Sequence, residues 1–132
     1  LASARGIEFE FFADDEIHVA GIRELLVSLI DNLIENAVKY SPEGGRIEVQ
    51  LQSRDTSAQL RVSDAGPGIP VELRERVFDR FFRDPNQTQS GSGLGLAIVK
   101  AVTQQHNGRV NLSMSAEGGL MVTVDFPNPS FA

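Results

Sequence analysis

The sequence predicts an α+β domain, a two-layer sandwich in which one sheet is covered by helices. Three observations carry this. Five short segments alternate apolar and polar residues, two long segments carry the period of an amphipathic helix, and short polar stretches join neighbouring strand-like segments. The whole chain, residues 1–132, reads as a single domain with one core, without an internal repeat or a linker.

In chain order, IEFEFF (7–12) alternates as a strand with Ile7, Phe9 and Phe11 on one face. IRELLVSLIDNLIENAVKY (22–40) is rich in helix formers, free of Gly and Pro, and stopped by SPEGG. RIEVQLQS (46–53) and AQLRVSD (58–64) alternate strictly across the short polar RDTS, as a hairpin does. AGPGIP makes a sharp turn into the charged VELRERVFDRFFR, and DPNQTQSGSG (84–93) has almost no apolar content and is expected to be mobile. The stretch from Val71 to Gly91 is long for a compact domain and suits a functional lid. LGLAIVKAVTQQHN (94–107) reads as the second long helix with Gly108 as its C-terminal cap. RVNLSMS and LMVTVDF, joined by AEGG, form a last hairpin.

Composition narrows the function. At 41% hydrophobic and 23% charged residues the chain is an ordinary soluble globule. The absence of cysteine excludes disulfides, thiolate metal sites and a thiol nucleophile. No apolar run reaches the ~18 residues of a membrane span, and no signal-peptide pattern opens the chain. The first residue is Leu1, so the chain is expected to be a fragment of a longer protein. A net charge of −6 argues against a nucleic-acid surface, so a polyanionic ligand must be welcomed locally. Arg74, Arg76, Arg80 and Arg83 crowd before the glycine run, interleaved with Glu72, Glu75 and Asp79, a pattern that by itself reads first as a solvated charged helix.

Three constellations bear chemistry. On the first helix Leu25, Leu29, Asn32 and Asn36 fall within about 40° of one line. Two carboxamides in an apolar stripe are either satisfied by nearby backbone or offered to a ligand, and an amide oxygen suits a hard cation such as Mg²⁺. Lys39 and Tyr40 follow beside that line. Asp64 shares a strand face with Leu60 and Val62, which aims its carboxylate at the core. There it needs a partner or a ligand's donors, and adenine's exocyclic amine is such a donor. Gly66 and Gly68, just after it, allow close backbone approach. The run GSGLGL fits neither the dinucleotide fingerprint nor the P-loop, since Leu96 and Ala97 occupy the deciding positions. A glycine hinge that delivers backbone N–H groups to phosphate at a helix N-terminus remains.

Together, NLIENAVKY, DAGPGI, FDRFFR and GSGLGL resemble, in order and spacing, the N, G1, F and G2 boxes of the ATP-binding domain of bacterial sensor histidine kinases. These are members of the larger group of Bergerat-fold ATPases. The resemblance covers essentially the whole chain, from Ile7 to Phe126. It implies the Bergerat fold, a mixed and mostly antiparallel sheet of about five strands under about three helices, with a mobile ATP lid over roughly residues 71–92. It also implies ATP and Mg²⁺ as cofactors. Asn36 would coordinate the metal with Asn32 in support, Lys39 would reach the phosphates, and Tyr40 would line the adenine or ribose. Asp64 would accept from the adenine amine, Gly66 and Gly68 would pass beneath the base, and Ile69 would pack on it. Phe78, Phe81 and Phe82 match the F box and mostly pack. Arg83, with Arg80 second, would steady the γ-phosphate, and Gly91, Gly93, Leu94 and Gly95 would close over the phosphates. Asn32, Lys39 and Arg83 are thus the candidate catalytic groups.

In the hydrolysing relatives a glutamate sits one turn before the metal asparagine. Asn32 occupies that place and is not a base, while Glu35 points about 100° away, so transfer is favoured over hydrolysis. The acceptor histidine would lie on an upstream dimerisation domain. Neither His18 nor His106 stands in the expected acceptor context, and His106 suits a helix C-terminus, where a cation is mildly favourable. The resemblance further implies a response regulator downstream and a place on the cytoplasmic side of the bacterial inner membrane, as part of a membrane-bound sensor. The fragment itself is expected to be soluble and monomeric. The alternatives are an anti-sigma-factor-type serine kinase of the same fold and a non-catalytic nucleotide-sensing module.

Overall fold

A computed structural model of the chain describes residues 6–13, 21–42, 44–53, 57–79, 95–116 and 118–127. Five strands form one sheet: β1 (Glu8–Ala13), β2 (Arg46–Ser53), β3 (Ser57–Ser63), β4 (Arg109–Met114) and β5 (Leu120–Pro127). Their order is β1-β2-β3-β5-β4, with β1 parallel to β2 and every other pair antiparallel. Two helices, α1 (Arg23–Tyr40) and α2 (Gly95–Gln105), cover one face. The charged segment after β3 opens with two 3₁₀ turns, Val71–Leu73 and Arg76–Phe78.

Strict alternation builds the core. Ile47 and Val49 of β2, Leu60 and Val62 of β3, and Val122 and Val124 of β5 are buried on the helix side. Cross-strand register stacks them, with Val49 opposite Val62 and Leu60 opposite Val124. The helices return Leu29, Leu33 and Ala37 from α1 and Leu96, Val99 and Val102 from α2. Thr103 is fully buried among them because its hydroxyl donates to the Val99 carbonyl at 2.7 Å.

The structure corrects one expectation and adds detail to two others. Phe11 shares a face with Phe9, as alternation expects, and is nonetheless 66% exposed. It belongs to the edge strand, whereas the helices pack over β3 and β4, and its ring stacks on Phe9 at 6.1 Å. The left-handed residue that ends α2 is Asn107 (φ 60°), not Gly108. Asn107 N–H bonds to the Gln104 carbonyl and Gly108 N–H to that of Thr103, a Schellman pair. Gly108 is glycine for another reason: a Cβ there would strike the Asp125 carbonyl. His106 stands at the C-terminus of α2, as expected, with both ring nitrogens hydrogen-bonded: Nε2 accepts the Ile22 N–H at 3.0 Å and Nδ1–H donates to the Val102 carbonyl at 2.8 Å.

Leu33 is 1% exposed beneath the helix layer. Leu33→Ala should therefore cost about 2–5 kcal/mol. Urea unfolding is the check, and a loss under about 1 kcal/mol would show that Leu33 contributes little to the core.

Candidate functional site

β3 runs directly into Asp64, whose N–H bonds to the Leu120 carbonyl at 2.9 Å, so the strand pairing with β5 carries one residue further. Period two then turns its side chain inward, and only 5% of the residue remains exposed. Oδ1 accepts two backbone N–H groups, Gly66 at 2.9 Å and Leu120 at 3.1 Å. Both donors converge on Oδ1, and among the described residues Oδ2 has no hydrogen-bond partner. Burial pushes the carboxyl above its ordinary value, and the bonds from Leu120 and Gly66 pull less strongly the other way.

Glycines make this crowding possible. A Cβ on Gly66 would collide with the Tyr40 carbonyl, and one on Gly119 with the Asp64 carbonyl. Gly68 adopts φ +74°, with the Gly118 carbonyl 3.1 Å from where its Cβ would stand. Ser115 locks the assembly: its hydroxyl donates to the Asp64 carbonyl at 2.7 Å and accepts the Gly119 N–H at 2.9 Å. Three segments distant in sequence thus meet at one carboxylate. They are the end of α1, the exit of β3 and the β4–β5 turn.

The second half of the site lies between the helices. Asn32 and Asn36 are half-buried on α1, one turn apart. The Asn32 amide donates back to the Ser28 carbonyl at 2.7 Å, so its nitrogen is satisfied by its own helix. Its Oδ1 faces the start of α2, 3.5 Å from where a Cβ on Gly95 would stand. Glu35 is exposed and away from this contact. Lys39 and Tyr40 are half-buried, with the Lys39 ammonium 5.1 Å from the Tyr40 ring centre. Ile69 packs against the core, and its carbonyl accepts from Arg74 Nε at 3.1 Å, which tethers the first 3₁₀ turn to the DAGPGI loop. Phe78 packs against the core with the Lys100 ammonium 5.5 Å from its ring centre.

The structure therefore brings Asp64, Gly66, Gly68 and Ile69 together with the end of α1, and Asn32 together with Gly95. Arg80, Phe81, Phe82, Arg83, Gly91, Gly93 and Leu94 lie outside the described residues. Ser115, Gly119 and Leu120 are site residues that sequence patterns do not reveal. In sequence they are an ordinary hairpin turn, and their link to Asp64 spans 51 and 56 residues.

Among the described residues no cluster of three His, Cys, Asp or Glu side chains could hold a metal, and no helix is long and apolar enough to cross a membrane. The sequence as a whole matches a known family. The model described as "Histidine kinase-, DNA gyrase B-, and HSP90-like ATPase" matches residues 21–130, and the chain belongs to that family. Within it, the chain belongs with the ATP-binding catalytic domains of sensor histidine kinases. It is 36% identical over 128 residues to the signal transduction histidine-protein kinase BaeS of Escherichia coli, covering 95% of this chain and 27% of that protein. It is 41% identical over 115 residues to the sensor protein kinase PmrB of Pseudomonas aeruginosa, covering 86% and 24%. The chain thus spans about a quarter of the length of these curated relatives. Among solved structures, the mycobacterial sensor histidine kinase MprB superposes with TM-score 0.86 at 38% identity, covering 96% of this chain and 86% of that one. The nucleotide-free catalytic domain of histidine kinase ThkA superposes with TM-score 0.85 at 28% identity, covering 96% and 84%.

The raised Asp64 pKa has a sign that can be tested. The folded chain keeps this proton over a range above 3.8, where the unfolded chain has released it. Unfolding there releases a proton, so this group's contribution to stability falls as pH rises from 3.8 toward the raised value. Asp64→Asn should flatten that part of the stability profile, measured by urea unfolding across the acid range. A second expectation concerns the turn: Gly119→Ala should displace Asp64 and abolish nucleotide binding while the far-ultraviolet circular dichroism stays native.

Proposed function

We propose that this chain is a single domain that binds ATP with its base on Asp64 and its phosphates between α1 and the start of α2. It then transfers the γ-phosphate to a histidine on an upstream dimerisation domain, from which a response regulator is served. The observation that carries this reading is the buried Asp64 carboxylate, with one oxygen held by two backbone N–H groups and the other left for a donor. Adenine's amine fits that oxygen, whereas guanine presents a carbonyl there. Ile69 supports the base, and Tyr40 closes its side. Gly66 and Gly68 let the backbone pass beneath.

At the phosphate end, Asn36 is the candidate ligand for Mg²⁺. The fit is chemical: a cation that keeps waters and phosphate oxygens needs few protein donors, and a neutral amide oxygen on a half-buried stripe is one. Bound there, Mg²⁺ would neutralise charge on the β- and γ-phosphates. Asn32 supports that region, Lys39 supplies a further positive charge, and Arg83 is assigned to steady the γ-phosphate. Gly91, at the end of a lid over roughly residues 71–92, and Gly93, Leu94 and Gly95, which follow it into α2, offer backbone N–H groups to the phosphates. Asn32 cannot act as a base and Glu35 is exposed elsewhere, so a water molecule lacks activation and transfer to another protein is favoured. On this reading the parent protein works on the cytoplasmic side of a bacterial inner membrane, with this part soluble and monomeric.

The decisive experiment mixes this chain, ATP, Mg²⁺ and the histidine-bearing helical fragment of the parent protein, and reads acid-labile phosphate on the fragment. Asp64→Asn should weaken ATP binding roughly 10- to 150-fold, the range of a lost hydrogen bond to a charged group. Isothermal titration with unchanged affinity would contradict the role of Asp64. Asn36→Ala should abolish the gain in ATP affinity that Mg²⁺ provides and stop transfer, and labelling at the normal rate would remove Asn36 from the metal site.

A further inference from the structure

The far end of the helix pair carries a contact that none of the assigned roles uses. α1 opens at Ile22, which caps the helix without a side-chain hydrogen bond. Its backbone N–H instead donates to His106 Nε2 at 3.0 Å. The same ring, through Nδ1–H, donates to the Val102 carbonyl at 2.8 Å in the last turn of α2. Both ring nitrogens are therefore committed, one to each helix. Phe126 of β5 meets the ring edge-on at 6.3 Å, which fixes the plane of the imidazole. Gly21 completes the fit, since a Cβ there would collide with the ring.

The geometry points to His106 as a positioning residue that sets the axial register of α1 against α2, and through it the seating of the triphosphate. The two helices run antiparallel, because the start of α1 meets the end of α2 at His106 while Asn32 faces Gly95 at the other end. From Ile22 to Asn32 is about 15 Å along α1, and from His106 back to Gly95 about 16.5 Å along α2, at 1.5 Å per residue. The clasp and the Asn32–Gly95 contact are thus the two ends of one matched pair. Between them lie apolar side chains, among them Leu29, Leu33 and Val99, whose packing tolerates small slides and tilts. A directional bond at one end removes that freedom. The opposite end of α1 is held separately, by the approach of Gly66 to the Tyr40 carbonyl. Loss of the clasp therefore shifts the start of α2 relative to Asn32 and Asn36. Asp64 stays where it is, because β5 and the β4–β5 turn hold it.

This polarity separates positioning from general packing, and it rests on the ATP-site reading above. Two variants isolate the bond. His106→Phe keeps a ring against Phe126 and removes both hydrogen bonds, while Ile22→Pro deletes the donating N–H and leaves the imidazole in place, at a residue 50% exposed with φ −89°. Binding of adenosine and of a non-hydrolysable ATP analogue with Mg²⁺ would be measured by titration followed by nuclear magnetic resonance. Each variant should weaken the analogue roughly threefold to tenfold, the span of one net hydrogen bond, and leave adenosine within about twofold. The double variant should be no weaker than His106→Phe alone, because that variant already lacks the bond that Ile22→Pro removes. Equal weakening of the two ligands, or no change in either, would show that His106 only packs. A wild-type chain that binds neither ligand overturns the nucleotide reading itself, and the clasp with it.

Discussion

The site depends on one buried carboxylate and the backbone that faces it. Asp64 sits in the core, where an isolated charge is strongly disfavoured, and two N–H groups on a single oxygen offset part of that cost. Other features follow from keeping those donors in place. Gly66 and Gly119 have no side chain because backbone carbonyls stand where one would go. Ser115 serves in that turn as a bridge, holding the Asp64 carbonyl and the Gly119 N–H at once. Among the described residues only Oδ1 of the carboxylate is hydrogen-bonded, and on the proposed reading a purine amine supplies the donor for the other oxygen.

Much of this is legible in the amino-acid sequence. Period-two alternation identifies all five strands, because the central ones are buried on one face and polar on the other. The inward aim of Asp64 follows from the same rule applied one residue past β3. The Asn32–Asn36 stripe follows from helical geometry, although the structure adds that Asn32 bonds back to Ser28. Local rules fail where distant segments decide the outcome. Phe11 has the right parity for burial but lies on an edge strand that the helices do not cover. Gly108 has the chemistry of a cap for α2, yet Asn107 tolerates the left-handed conformation and Asp125 claims the space beside Gly108. Ser115 and Gly119 carry no signal, because a turn serine and a turn glycine look alike whether or not an aspartate lies across from them.

The proposed site divides its work between the two layers. The sheet and its turns hold Asp64, so the base end inherits the rigidity of paired strands. The helix pair holds Asn32 against Gly95, so the phosphate end inherits whatever freedom two packed helices retain. Base selection and phosphate seating can therefore vary independently. On that reading, base preference can be kept while the geometry at the far end of the nucleotide changes.

The sheet order places β5 between β3 and β4, so the neighbour that completes Asp64 is made long after it. During translation a nascent chain that stops short of Ser115 already contains the aspartate, both asparagines and the glycine run, but not the Leu120 donor or the Ser115–Gly119 bridge. Such an intermediate has every recognisable sequence box and no finished pocket. On the proposed reading, competence for ligand therefore waits for the β4–β5 hairpin to add to the free edge of β3.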